Sequence, residues 1–167
     1  STQSRSSAAS DVYKRQDLVF SIMLGTNDSA IEGTNGCPVT PERYYENMKT
    51  IINRLLALYP NCRIVVHRPL WYSPNTYNGA KYLEEGLRRL QDYYPQIQRL
   101  VDYYASHFPG QVFLGDTKGF DYFKENHLTD FQAEKGNAGV FYLHPNEKGA
   151  VRLGELWSEA IRQALGL

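Results

Sequence analysis

Residues 17–24 (DLVFSIML) form an almost unbroken apolar run that stops at Gly25, the pattern of a strand buried on both faces, as in a parallel sheet. Beyond the turn GTNDS, Thr40 followed by Pro41 and Glu42 predicts a helix start. A threonine hydroxyl accepts from a first-turn N–H there, and proline has no N–H to lose. Tyr44, Met48, Ile51, Leu55 and Leu58 then recur at helical spacing, and Pro60 and Asn61 end the series. Residues 63–67 (RIVVH) predict a second strand, and the RPLWYSPNTYNG that follows predicts a loop. Leu83, Leu87, Leu90 and Tyr94 predict a helix ending at Pro95; Ile97, Leu100, Val101, Tyr104 and Phe108 predict another beyond it. Residues 111–114 (QVFL) predict a third strand, residues 115–139 irregular chain with a short helix near 120–124, and residues 147–165 an amphipathic helix capped by Asn146.

No segment repeats another. Strands alternating with longer helices build parallel βαβ units with helices on both faces of the sheet, which predicts an α/β fold in three layers, α/β/α. In such folds ligands bind beyond the carboxyl ends of the strands, so residues 25–29, 68–79 and 115 onward are expected to line the site.

The first sixteen residues, STQSRSSAASDVYKRQ, are polar, lack an apolar period and lack the charged, apolar and small-residue regions of a secretory signal. Residues 6–16 read as the in-frame translation of a transposase adapter used to build short-read sequencing libraries. The expectation is a non-native or disordered tail over residues 1–16, with native sequence starting near Asp17 and the parent's own N-terminus missing.

Composition narrows the function. The 167 residues fit one domain, 42% hydrophobic residues suffice for a core, and no apolar stretch approaches the length of a membrane span. Lys and Arg number 18, balanced by 18 Asp and Glu without a basic run, so there is no electrostatic footprint for nucleic acid. Cys37 and Cys62 form no CxxC or Cys/His pairing, and His67, His107 and His127 have no metal-ligand spacing. No metal and no cofactor is expected, and localisation is not legible.

Gly25-Thr26-Asn27-Asp28 stands at a strand's carboxyl end, where glycine permits a tight turn and an asparagine amide can direct donors at an oxyanion. Ordinary turn chemistry, with Asn27 or Asp28 bonding nearby backbone, accounts for the same tetrapeptide. His144 precedes Pro145 and Asn146 at the mouth of the last helix, a rim position suited to a general base or equally to an exposed or capping histidine. Arg68, Trp71 and Tyr72, with Tyr77, sit on the loop after the second strand. Aromatic faces beside hydrogen-bonding groups suit a sugar or aryl ligand, and they serve equally to pack that loop on the sheet.

Taken in order, GTND after a strand and HPNEKG opening a terminal helix resemble the SGNH hydrolases, also called the GDSL esterase and lipase family, across residues 17–167. The resemblance implies a flavodoxin-like α/β/α fold with strand order 2-1-3-4-5, residues 17–24 being the third strand. It implies Asn27 in the oxyanion hole, Gly25 and Asp28 in support, and His144 as base to a serine nucleophile.

Two departures stand out. The family's G-D-S motif and the glycine of its second motif do not occur before GTND, as truncation at Asp17 implies; no serine here (Ser21, Ser29, Ser73, Ser106, Ser158) has a matching motif. Phe141 stands where the family has aspartate, three positions ahead of His144, leaving a backbone carbonyl, Asp121 or Asp130 to orient the imidazole. The expected parent is a serine esterase acting on an acyl or acetyl ester, in one version a carbohydrate ester, and the chain itself is expected to be inactive and, with a bare strand edge, prone to associate. The alternative is a non-catalytic α/β domain that binds a carbohydrate or other ligand.

Overall fold

The computed structural model describes residues 17–167, so the expectations for residues 1–16 lie outside the described residues. Three parallel strands, β1 (Val19–Ile22), β2 (Arg63–Val66) and β3 (Val112–Leu114), lie side by side in that order. The register sets Phe20 beside Ile64, Ile22 beside Val66, and Val66 beside Leu114. Helices α1 (Pro41–Leu58) and α2 (Leu83–His107) connect them. After β3 come α3 (Gly119–Asp130), an antiparallel hairpin of β4 (Glu134–Gly136) and β5 (Gly139–Phe141), and α4 (Glu147–Leu165). The α/β class holds, and the strand order matches the third to fifth strands of a 2-1-3-4-5 sheet.

Side chains alternate between the faces of a strand, so Ile64 and Val66 share one face while Val65 and His67 share the other. Ile64 and Val66 join a core with Met48 and Ile52 of α1 and Leu90, Tyr93 and Ile97 of α2. Across the sheet the His67 ring stacks on Trp157 of α4, with centroids 4.4 Å apart. Helices therefore cover both faces of β2.

Four expectations change. Residues 17–24 are not buried on both faces: Phe20 and Ile22 pack toward α1, whereas Val19 and Ser21 are exposed. Strand β1 pairs only with β2 among the described residues, and α4 reaches the sheet over β2. The buried row of α1 is Tyr44, Met48, Ile52 and Leu56, while Ile51 and Leu58 are 38% and 52% exposed. Adjacent apolar pairs in IINRLLAL fit either stripe, and packing on the sheet selects the one with strict four-residue spacing.

Pro95 does not divide two helices; it lies inside the continuous α2. A mid-helix proline costs about 3 kcal/mol. Leu87, Leu90, Ile97 and Leu100 are buried on both sides of it, each worth roughly 1.5–3 kcal/mol. Burial therefore outweighs the lost hydrogen bond. Residues 115–139 are also more ordered than expected, with α3 running to Asp130 through a non-helical Asn126, and then the hairpin. The predicted caps hold: the Arg43 N–H donates to Thr40 Oγ1 at 3.2 Å, and the Gly149 N–H to Asn146 Oδ1 at 2.9 Å.

Candidate active site

The turn after β1 is built around a glycine. Gly25 has φ +130, and a Cβ there would meet Tyr44, Tyr93 and Pro69 at 3.1, 3.2 and 3.3 Å. Those two tyrosines stack at 4.2 Å and form the floor beneath the turn. The chain then makes one 3-10 turn over Asn27–Ser29, closed by the Ser29 N–H donating to the Gly25 carbonyl at 3.0 Å.

Asn27 is exposed, and its Oδ1 accepts from the Tyr82 hydroxyl at 2.8 Å. With its oxygen engaged, the amide keeps its NH2 without a partner among the described residues, which is the orientation an oxyanion donor needs. The Thr34 hydroxyl further pins the residue by donating to the Asn27 carbonyl at 2.7 Å. Asp28 is half-buried, which raises its pKa, and its carboxylate makes no hydrogen bond among the described residues. Its link to the fold is its backbone carbonyl, which accepts from the Val39 N–H at 2.9 Å.

His144 lies between β5 and α4. Its carbonyl accepts from the Gln132 N–H at 2.9 Å, and its side chain is 57% exposed. Nδ1 is 2.9 Å from Oε2 of Glu134, a carboxylate 27% exposed. Neither Asp121 nor Asp130 takes this place. Asp130 is buried beneath α4: burial pushes its pKa up, but hydrogen bonds from the Tyr122 hydroxyl at 2.6 Å and the Thr129 hydroxyl at 2.7 Å, with Lys148 nearby, hold it below the usual range. Glu134 was not among the sequence candidates, and no spacing rule points to it. The signal available was the turn sequence GNAG, which announces a hairpin whose strands bring positions 134 and 141 opposite each other.

A second serine–histidine contact exists and works differently. Ser21 Oγ is 2.8 Å from His67 Nε2, but His67 Nδ1 accepts from the Asp116 N–H at 2.8 Å. The neutral ring must therefore carry its proton on Nε2 and donate it to Ser21, so it cannot deprotonate that serine. Burial lowers the His67 pKa to about 4. Ser29 and Ser73 are buried, the first sharing a hydrogen bond with Tyr72 and the second accepting from the Tyr142 N–H. Gly115-Asp116-Thr117 after β3 superficially resembles a nucleophile motif. There, however, the Asp116 carboxylate accepts from the N–H groups of Lys118 and Gly119 at the start of α3.

A cleft of about 950 Å³ opens at the carboxyl end of β1 and brings together Gly25, Asn27, Asp28, Trp71, Tyr82 and His144. Of the other two residues expected at the substrate, Tyr72 is fully buried with its hydroxyl 2.8 Å from Ser29 Oγ, and Arg68 stacks over Tyr94 at 5.1 Å. Neither lines the cleft. Trp71 contributes only a thin exposed margin, its ring packing with His127 and Phe131.

Comparison with known proteins bears on the fold and the family. Among curated proteins none matches the chain. A solved structure, the salicylyl-acyltransferase SsfX3 from a tetracycline biosynthetic pathway, superposes with a TM-score of 0.56 at 16% identity, covering 95% of this chain and 40% of that one. The likeness is one of fold, and the chain spans well under half the length of that neighbour. The profile of the GDSL-like lipase/acylhydrolase family matches residues 3–152, most of the chain. The chain belongs to the GDSL-like lipase/acylhydrolase family.

Proposed function

We propose that the parent protein transfers the acyl group of an ester to water, with His144 as general base and acid and Asn27 as an oxyanion donor. Family membership supports ester chemistry in general, to water or to another acceptor. The observation that carries the finer reading is that both groups line one cleft in usable states. The Asn27 amide is turned by Tyr82 so that its NH2 is free, and Nδ1 of His144 is engaged, leaving Nε2 available.

The nucleophile in this reading is the serine of a G-D-S segment upstream of Asp17. It attacks the ester carbonyl as His144 Nε2 takes its proton. The tetrahedral oxyanion lies on the Asn27 amide and on backbone donors, and collapse expels the alcohol with the proton returned by His144. Water then repeats the sequence on the acyl-enzyme. An open cleft beside an exposed imidazole favours water as acceptor. We assign the ester as an acyl or acetyl ester whose alcohol is a carbohydrate, the alcohol on the strength of Asn78 and Tyr82 beside the exposed margin of Trp71 in the cleft.

The rival reading, a non-catalytic binding domain, rests on Phe141 in the acid position and on the absent nucleophile, and a carboxylate against His144 from elsewhere counts against the first ground. The test is to recover the source gene. A reading frame upstream of Asp17 encoding G-D-S after a strand, together with hydrolysis of short acyl esters by the restored chain, is the expected result. Intact upstream sequence without such a serine would overturn the proposal.

A further inference from the structure

Phe141 raises the question of what orients His144. Its side chain is buried, against Gly136, where a Cβ would come within 2.7 Å of the ring. Position 141 therefore points into the hairpin's packing and not at the imidazole. Directly across the antiparallel ladder from Phe141 is Glu134. Residues opposite one another in a ladder project from the same face, so the buried ring supports the carboxylate from beside it.

We infer that Glu134 is the positioning residue for His144, standing in from the neighbouring strand for the acid that position 141 lacks; this rests on reading His144 as the base. Glu134 Oε2 lies 2.9 Å from Nδ1, so in the neutral ring Nδ1 carries the proton and donates it, and the Nε2 lone pair is left for the nucleophile. When Nε2 takes a proton, the imidazolium forms beside a carboxylate already in place, without the carboxylate itself becoming protonated.

The geometry is held on both sides. Gln132, two residues before Glu134, donates its N–H to the His144 carbonyl at 2.9 Å, and Phe131 bridges to Pro145. From the loop after β2, Asn75 Nδ2 donates to the carbonyls of Ala138 and Val140 at 3.1 and 2.7 Å, and Ser73 Oγ accepts from the Tyr142 N–H at 2.8 Å. The hairpin cannot slip by a residue without breaking these contacts, and a one-residue slip would turn Glu134 to the other face.

The inference is tested on two readouts. In the 15N-histidine-labelled chain above pH 8, two-bond spectra, assigned with His144→Ala, are expected to show His144 as the Nδ1–H form. Glu134→Ala should shift it to the Nε2–H form that predominates in exposed histidine. In the gene-restored enzyme, Glu134→Ala and the near-isosteric Glu134→Gln should each lower kcat on the order of 10²- to 10⁴-fold with KM little changed. Glu134→Asp, one methylene short, should fall between them and wild type. An Nε2–H His144 in the unmodified chain, or Glu134→Gln turnover within threefold of wild type, would overturn the assignment. If His144→Ala itself keeps full turnover, the reading of the base fails; if it abolishes turnover while Glu134→Gln does not, only Glu134's role fails.

Discussion

The two histidines at the carboxyl end of the sheet have opposite chemistry although each has a partner at both ring nitrogens or room for one. His67 is buried against Trp157, receives an N–H at Nδ1 from Asp116, and spends its Nε2 proton on Ser21. His144 lines the cleft and meets a carboxylate at Nδ1, and its Nε2 has no hydrogen-bond partner among the described residues. On the proposed reading, what separates a structural histidine from a base is the group at Nδ1. A donor there forces the proton to Nε2, and an acceptor there frees Nε2. Proximity to a serine, which His67 has, decides nothing by itself.

The contrast breaks most sharply at turnover. In the gene-restored enzyme His144→Ala is expected to cost at least 10³-fold in kcat with the fold intact, because the side chain is mostly exposed. His67→Gln should leave kcat within a few fold while lowering the melting temperature. Equal losses from the two substitutions, measured on the folded fractions, would erase the distinction.

Next in size is the oxyanion side. Asn27→Ala should lower kcat by about 10²- to 10³-fold with a small change in KM. Tyr82→Phe leaves the amide in place but removes the hydroxyl that holds its oxygen at 2.8 Å, and should cost about tenfold or less. Steady-state kinetics on an acetyl ester separates the two, and a Tyr82→Phe loss equal to that of Asn27→Ala would assign Tyr82 a direct part.

Much of this was legible in the chain because short-range physics wrote it there. Thr40-Pro41 and Asn146 announce helix starts by satisfying or lacking an N–H, and the strand-then-glycine of LGTND marks the sheet end where the cleft lies. That Asn27 and His144 stand along one cleft was readable as motifs in order. What failed depended on tertiary packing. Pro95 reads as a helix boundary until the buried leucines on either side of it are counted. Glu134 could not be found from sequence because its contact with His144 exists only once GNAG closes a hairpin and Phe141 fills its inner face. The aromatics after β2 were ambiguous from the start. Packing took Tyr72 out of reach and left Trp71 at the margin.

A smaller effect sharpens the contrast through pH. Burial holds the His67 pKa at about 4, against about 6.5 in an unfolded chain, so the folded protein binds fewer protons between those values. The stability this ring contributes is full above about pH 6.5, falls as pH drops, and is lost by about pH 4. Urea unfolding at pH 7.5 and 5.0 should show a larger drop in wild type than in His67→Gln; equal drops would mean that His67 is not buried neutral. The carboxylate of Asp130, held below its usual range, loses its contribution only at lower pH and does not blur that window.

The smallest expected effect belongs to Ser21. Its hydroxyl accepts a hydrogen bond from His67 Nε2–H and is itself exposed, so a water can take its place in the Ser21→Ala protein. The expected cost is about 1 kcal/mol or less in urea unfolding, with turnover unchanged. A loss of activity comparable to that of His144→Ala would mean that Ser21 is the serine the chain uses, and that the Nδ1 rule drawn from the two histidines does not govern this protein.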